Sequence, residues 1–385
     1  MAVEYDIVVI GAGIHGVGIA QAAAAAGYHT LVLEQSDIAA ATSCSSSKLI
    51  HGGLRYLESA RFGLVRESLR EQKILLRNAP HLVHRLPFHI PLFRHTRRHR
   101  WQIAVGLSMY RLLGGSAYKK IPQAQWSTLD GLSNDGLQAV YCYHDAQTDD
   151  GLLTMAVMQS AIDLGARLIC PAQFVRAEKT RNGYQVHYQH DRQTMETSCG
   201  VLVNASGPWV NKVLECIKPT IEKRSIELVQ GSHIIVPGRI RRGAYYVEAP
   251  QDGRAVFVLP WKGRTLVGTT ETLYNGDPSR IEPLDSEISY LQTVLQHYFP
   301  QHDTTVTGSF AGLRVLPSGK GTAFHRSREI ILRLDDAAVP RCLSVYGGKL
   351  TTYRATAEKI IKAVRTSLPP RTVRADTRTL VLPKV

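Results

Sequence analysis

Residues 5–34 read YDIVVIGAGIHGVGIAQAAAAAGYHTLVLE. The β-branched run that ends at Ile10 suits a strand buried on both faces of a parallel sheet. Gly11, Gly13 and Gly16 follow in G-x-G-x-x-G spacing. Helix formers then continue through the alanine run 22–26 to a stop at Gly27. A second strand, Thr30 to Leu33, ends at Glu34. Gly11 permits a tight turn, Gly13 lets backbone approach a pyrophosphate, and Gly16 lets the helix pack closely on the strand. The helix start offers free N–H groups and partial positive charge to phosphates. Glu34 can accept hydrogen bonds from ribose hydroxyls, and it repels a 2′-phosphate, which disfavours NADP. Strand, glycine turn, helix and acid together make a dinucleotide site a far more specific reading than a glycine-rich turn alone.

Outside this unit the chain is ordinary globular sequence. It has 385 residues, 44% hydrophobic and 20% charged, which argues for more than one domain and against disorder. A net charge of +14, from 46 Lys and Arg against 32 Asp and Glu, favours anionic partners. No nucleic-acid motif accompanies that charge, and the basic residues are spread along the chain, so nucleic acid is not expected. Six scattered cysteines without a C-x-x-C pair predict free thiols in a reducing compartment and no zinc site. No cleavable apolar leader and no span-length apolar segment is read. The expected location is the cytoplasm.

The segment after Glu34 narrows the choice of dinucleotide. A long hydroxyl-rich loop, QSDIAAATSCSSSKLIHGG (35–53), intervenes where an NAD domain usually goes straight into another βαβ unit. Thr42, Ser43 and Ser47 can hydrogen-bond phosphates or a ring system, and Lys48 adds charge. A further strand and Gly-Pro turn appear far away in GVLVNASGPWV (200–210), and glycine turns recur at AGLRVL (311–316) and VYGGKLTT (345–352). A nucleotide domain assembled from such distant pieces fits two-domain FAD proteins. The fold class expected is α/β, a Rossmann-like FAD-binding domain with a second, antiparallel-sheet substrate domain. The FAD domain is read as residues 1–80, 150–220 and 310–385, and the substrate domain as 80–150 and 220–310. In the latter, AYYVEAP, AVFVLPW and TLVGTTE alternate as antiparallel strands do.

Taken together, ATSCSSSKLIHGGLRYLE, NASGPWV, GSHIIVP, VGTTET and YGGKLTTYR resemble the FAD-dependent glycerol-3-phosphate dehydrogenases, within the D-amino-acid-oxidase-like flavoproteins. The resemblance runs from about residue 4 to about residue 360. It implies bound FAD, oxidation of sn-glycerol 3-phosphate to dihydroxyacetone phosphate, and electron delivery to membrane quinone, although oxygen-using members exist. It also implies cofactor contacts at Leu49, His51, Gly52, Val175, Ala205, Gly207, Trp209, Gly312, Gly348, Lys349, Leu350 and Thr351. The chain departs from the family pattern in places. Ser206-Gly207 and Thr270-Glu271 stand where Thr-Gly and Thr-Asp are usual. Val315 follows Arg314 where proline is usual, and Asp149-Asp150-Gly151-Leu152 lacks the arginine of the family's Asp-Asp-Ala-Arg. The sequence stops soon after GGKLTTYR, where the family typically continues into a helical domain.

Oxidising a secondary alcohol on flavin requires a hydride to reach N5 and a proton to leave the hydroxyl. Histidine is the natural base near neutral pH. His51, in the loop expected to pass the ring, and His233, in GSHIIV, are equal candidates, against the plain reading that most of the fifteen histidines are structural or surface groups. The phosphate needs cations. Arg314 and Arg55 come first, then Lys349 and Arg328, since arginine offers a planar fork and lysine a point charge. Arg314 is also expected to take part in catalysis. Lys349, between two glycines and two threonines, is placed at the flavin's pyrimidine edge, where a cation stabilises the reduced anion. Tyr56 and Thr270 are further substrate contacts. Residues 93–115, a basic cluster before an apolar helix that begins with tryptophan, are the expected peripheral contact with the inner face of the cytoplasmic membrane. A core helix behind a solvated charge run is the competing reading. Two other functions stay open. One is a related flavin oxidase or dehydrogenase of an amine or carboxylated hydroxy acid, with Arg314 on the carboxylate. The other is a non-enzymatic flavin-binding protein.

Overall fold

A computed structural model of the chain describes residues 3–318 and 330–385. The strand Tyr5–Ile10 sits where its apolar run requires, in the middle of a parallel sheet. It pairs in parallel with Thr30–Leu33 on one side and with the second half of Gln193–Asn204 on the other. Cys342–Tyr346 and Arg167–Ile169 extend the parallel array outward, and Ile331–Leu334 closes one edge antiparallel. The first half of Gln193–Asn204 leaves this layer and pairs antiparallel with Tyr184–His190, which pairs with Gln173–Lys179. The nine-stranded sheet is therefore parallel at the centre and antiparallel in this arm.

The helix Ile14–Ala25 is apolar all round because it is covered all round. The sheet lies beneath it, and Asp150–Asp163 and Tyr353–Val364 flank it. Small alanines let these three helices approach closely. Gly11 has φ +100°, and a Cβ on Gly16 would stand 1.9 Å from the Gly11 carbonyl oxygen, so the turn and the helix start interlock.

The second sheet has ten strands. Leu137–Thr148, Val83–Phe93, Ala244–Glu248, Ala255–Trp261, Arg264–Gly268, Ile226–Val236 and Gly308–Pro317 follow one another across it. All these joins are antiparallel except Val83–Phe93 to Ala244–Glu248, which is parallel. The sequence alone gives an all-antiparallel sheet here. The parallel join arises because these two strands are distant in the chain and no hairpin dictates their direction. Helix Asp285–Tyr298 covers one face of this sheet, while Phe62–Asn78 and Arg100–Leu112 back the other. Gly308–Pro317 pairs along its length with Ile226–Val236, and Leu49–Ile50 pairs with Ala146 and Gln147, so both segments join the second sheet. The six cysteines are all unpaired. Among the described residues, no helix is long and apolar enough to cross a membrane.

Candidate active site

A continuous cleft of about 2230 Å³ runs between the two sheets. One end is built from the N-terminal turn. Gly11, Gly13 and Ile14 line it, and the helix start carries no acidic residue in its first turn. Glu34 is fixed at the tip of its strand: the Ala12 N–H donates to Oε2 at 2.7 Å and the Ser36 N–H to Oε1 at 2.9 Å. Ser43 accepts from the Ile14 N–H at 2.8 Å, which docks the hydroxyl-rich loop onto the helix start.

This end of the cleft fits a dinucleotide in one further respect. His15 lines it, both ring nitrogens are buried, and neither has a hydrogen-bond partner among the described residues. Burial pushes its pKa down to about 4, so the imidazole stays neutral. Gly348, at φ +108°, leaves room for that ring, since a Cβ there would lie 2.0 Å from His15 Nε2. A buried neutral group with unsatisfied polar atoms beside a glycine turn is the environment a bound phosphate or ribityl hydroxyl completes.

The loop 42–58 forms the floor. The Thr42 hydroxyl donates to the Leu313 carbonyl at 2.8 Å, tying the loop to Gly308–Pro317. Ser47 Oγ lies 2.9 Å from His233 Nε2. His51 lines the cleft, and its backbone N–H donates to Thr351 Oγ1 at 3.2 Å. Tyr56 also lines it, with the Lys349 ammonium 3.8 Å from its ring centroid.

The facing wall comes from Ile226–Val236 and Gly308–Pro317. His233 lies within Ile226–Val236, almost wholly buried and stacked on Phe310 at 4.9 Å. Burial, with the Arg314 and Lys48 charges nearby, pushes its pKa down to about 3. Arg314 stands in the cleft, where its guanidinium donates to Glu271 and Thr269, both at 3.1 Å.

Most residues singled out from the sequence line this one cleft: Gly11, Gly13, Glu34, Thr42, Ser43, Ser47, Leu49, His51, Tyr56, Val175, Ala205, Gly207, Trp209, His233, Gly312, Arg314, Gly348, Lys349, Leu350 and Thr351. Four do not. Gly16 lies beneath the turn, in its packing role. Lys48 is turned inward; its ammonium donates to Asp150 at 2.6 Å and to the Cys44 carbonyl at 2.5 Å, so it does not offer charge to a phosphate. Gly52 packs against Tyr110 and Leu69 away from the cleft, and Gly53 takes the position facing it. Thr270 is buried, donating to Glu287 at 2.7 Å and accepting from the Ser232 N–H at 2.8 Å, which makes it a strand tie rather than a substrate contact. Arg328 and the Arg55 side chain lie outside the described residues.

Sequence reading missed His15, although it sits inside the glycine motif. It also missed Asp145, a lone acid in the long strand LQAVYCYHDAQT that lines the cleft. A carboxylate in mid-strand among buried apolar residues is a legible signal, because burying it is costly without dedicated donors.

Proteins of similar sequence and shape are known. The profile of the FAD dependent oxidoreductase family matches residues 6–358. A glycerol-3-phosphate dehydrogenase of Pseudomonas aeruginosa is 38% identical over 370 residues, 94% of this chain and 72% of that protein. A D-erythritol 1-phosphate dehydrogenase of Brucella abortus is 35% identical over 371 residues, 92% of this chain and 72% of that one. The crystal structure of glycerol-3-phosphate dehydrogenase from Bacillus halodurans, complexed with FAD, superposes with a TM-score of 0.77 at 27% identity, covering 98% of this chain and 67% of that one. The chain belongs to the FAD-dependent oxidoreductases and, within them, to the glycerol-3-phosphate dehydrogenase group.

Proposed function

We propose that this protein oxidises sn-glycerol 3-phosphate to dihydroxyacetone phosphate, with His51 as the base and Arg314 as the phosphate ligand. The observation that carries this reading is that His51, Arg314 and the dinucleotide turn line a single cleft. Bound FAD would take the hydride from the substrate's C2. The protein supplies position and proton transfer. His233 is poorly suited to accept a proton, because burial holds its pKa near 3 and Ser47 occupies its Nε2. Its part is to hold the loop. His51 accepts the hydroxyl proton. Arg314, oriented by Glu271, presents its donor fork to the phosphate, and Lys349 adds a second cation. On this reading the domains divide near residues 80, 150 and 220, and the last boundary falls after Gly308–Pro317, a strand of the second sheet, rather than near 310.

The test is anaerobic. The purified yellow protein is mixed with sn-glycerol 3-phosphate, D-erythritol 1-phosphate, a hydroxy acid or an amine, and the flavin band is followed. Bleaching fastest with sn-glycerol 3-phosphate is expected. A flavin that only the other compounds reduce sinks the proposal.

Electrons then pass to a quinone at a membrane surface. Supporting this, helix Arg100–Leu112, which lines part of the cleft, leaves Trp101, Val105 and Leu112 65%, 50% and 86% exposed. Positions 101, 105 and 112 fall on one helical face, as in an interfacial anchor. The basic cluster before it is less available than its composition suggests, since Arg98 pairs with Glu58 and Glu248. Co-sedimentation with anionic vesicles, lost on changing all three residues to serine, is the expected result. Equal sedimentation of the triple variant removes this face from consideration.

A further inference from the structure

The backbone at and on both sides of His51 is held by side chains from three distant elements. Before it, the Ile50 carbonyl accepts from Gln72 Nε2 at 2.7 Å. After it, the Gly52 N–H donates to the Tyr110 hydroxyl at 2.9 Å. The N–H of His51 itself donates to Thr351. Two of these holds meet in one carboxylate. Tyr110 donates to Asp145 Oδ1 and Oδ2 at 2.8 and 3.0 Å, and Gln72 Nε2 donates to Oδ1 at 2.7 Å. Gln72 lies on helix Phe62–Asn78, Tyr110 on Arg100–Leu112, and Asp145 on strand Leu137–Thr148. All three are buried.

The direction of each hydrogen bond follows from the groups that can only donate. The Gly52 N–H and the Gln72 NH2 group have no acceptor atom, so the Tyr110 oxygen accepts from Gly52 and its own O–H is left to reach Asp145. The same carboxylate draws the Gln72 NH2 group, and that group reaches Ile50 as well. The network's contacts are with the peptide groups of Ile50 and Gly52. Its effect is on the peptides that set where the ring points.

We infer that Tyr110, Gln72 and Asp145 are positioning residues: a buried, carboxylate-centred clamp that fixes the peptides flanking His51 and so aims its imidazole into the cleft. This rests on His51 being the base. A purely structural network would affect stability alone. A clamp on the base changes the chemical step, because a small misplacement of a reacting group costs rate steeply.

The experiment compares Tyr110→Phe, Gln72→Leu and His51→Gln with the wild type, all FAD-loaded, in single-turnover bleaching by sn-glycerol 3-phosphate. In Tyr110→Phe and Gln72→Leu the limiting rate is expected to fall by roughly 10- to 100-fold with the half-saturating concentration little changed, and the acid limb of its pH profile to move. Hydrogen exchange in peptides covering 49–53 is expected to quicken. Wild-type rate and pH profile in both variants, with His51→Gln slow, overturn the clamp. Wild-type rate in His51→Gln instead overturns the choice of base, and exchange in 49–53 then decides the clamp by itself. If neither clamp variant retains FAD, the wild type still answers: protection of 49–53 comparable with the core strand Tyr5–Ile10 supports the clamp, and loop-like exchange overturns it.

Discussion

Lys48 and Asp150 form an ion pair of 2.6 Å with both side chains shut away from solvent. Asp150 also accepts from the Ser46 and Gly151 N–H groups at 2.9 Å. The pair therefore pins the loop beneath the cleft to the start of helix Asp150–Asp163. Breaking a buried pair from one side leaves an uncompensated charge, so Asp150→Ala is expected to cost on the order of 3–5 kcal/mol. Urea unfolding of the FAD-loaded protein measures this. The double change Lys48→Met with Asp150→Leu should lose much less than Asp150→Ala; an equal loss would show that the charges do not carry the effect.

Gly348→Ala places a methyl where His15 stands, at a backbone angle that disfavours alanine. FAD affinity is expected to fall by roughly tenfold or more, since a clash and a strained turn each cost 1 kcal/mol or above. Fluorescence titration of the apoprotein with FAD checks it. His15→Ala in the same background should recover part of the loss; no recovery would place the whole effect on backbone strain.

Arg314→Lys keeps the charge and loses the planar fork that reaches Glu271, Thr269 and, on the proposed reading, the phosphate. KM for sn-glycerol 3-phosphate should rise by roughly tenfold or more, on the scale of one charge-assisted hydrogen bond. Steady-state kinetics decide it. A rise of the same size with an uncharged alcohol would remove the phosphate from the explanation.

Burial raises the Asp145 carboxyl from 3.8 to about 7, against the donors Tyr110, Gln72, Tyr143 and the Gly52 N–H, which pull it down. The sign follows from that shift. A raised acid favours the folded state most when neutral, so its contribution is complete below about 3.8 and is lost as pH rises through about 7. Asp145→Asn cannot ionise. The melting temperature of the wild type minus that of the variant should therefore fall between pH 4 and pH 8. A flat difference would mean that the carboxyl is not buried as described.

The glycine turn, its strand and helix, and the acid at Glu34 were legible because local sequence dictates each of them. A tight turn needs glycine, a doubly buried strand needs continuous apolar residues, and a covered helix needs small ones. The site was legible as a set of motifs, and most of them meet in one cleft. Lys48 and Thr270 misled for the same physical reason. Residue type shows what a side chain can bond, but its partner, Asp150 in one case and Glu287 in the other, lies on an element that only folding brings near. The two histidines were equivalent in sequence and are not equivalent in space, because burial depends on the strands around them.

By itself, then, the sequence determined the nucleotide-binding turn, the two-sheet α/β class and which residue types are on hand for a phosphorylated alcohol, since these follow from backbone requirements and side-chain chemistry at short range. Only the tertiary structure decided which of those residues face the cleft, which are spent on ion pairs, and that Gln72, Tyr110 and Asp145 converge on the peptides beside His51. Those outcomes depend on the dielectric and the neighbours that packing creates, and segments tens to hundreds of residues apart supply both.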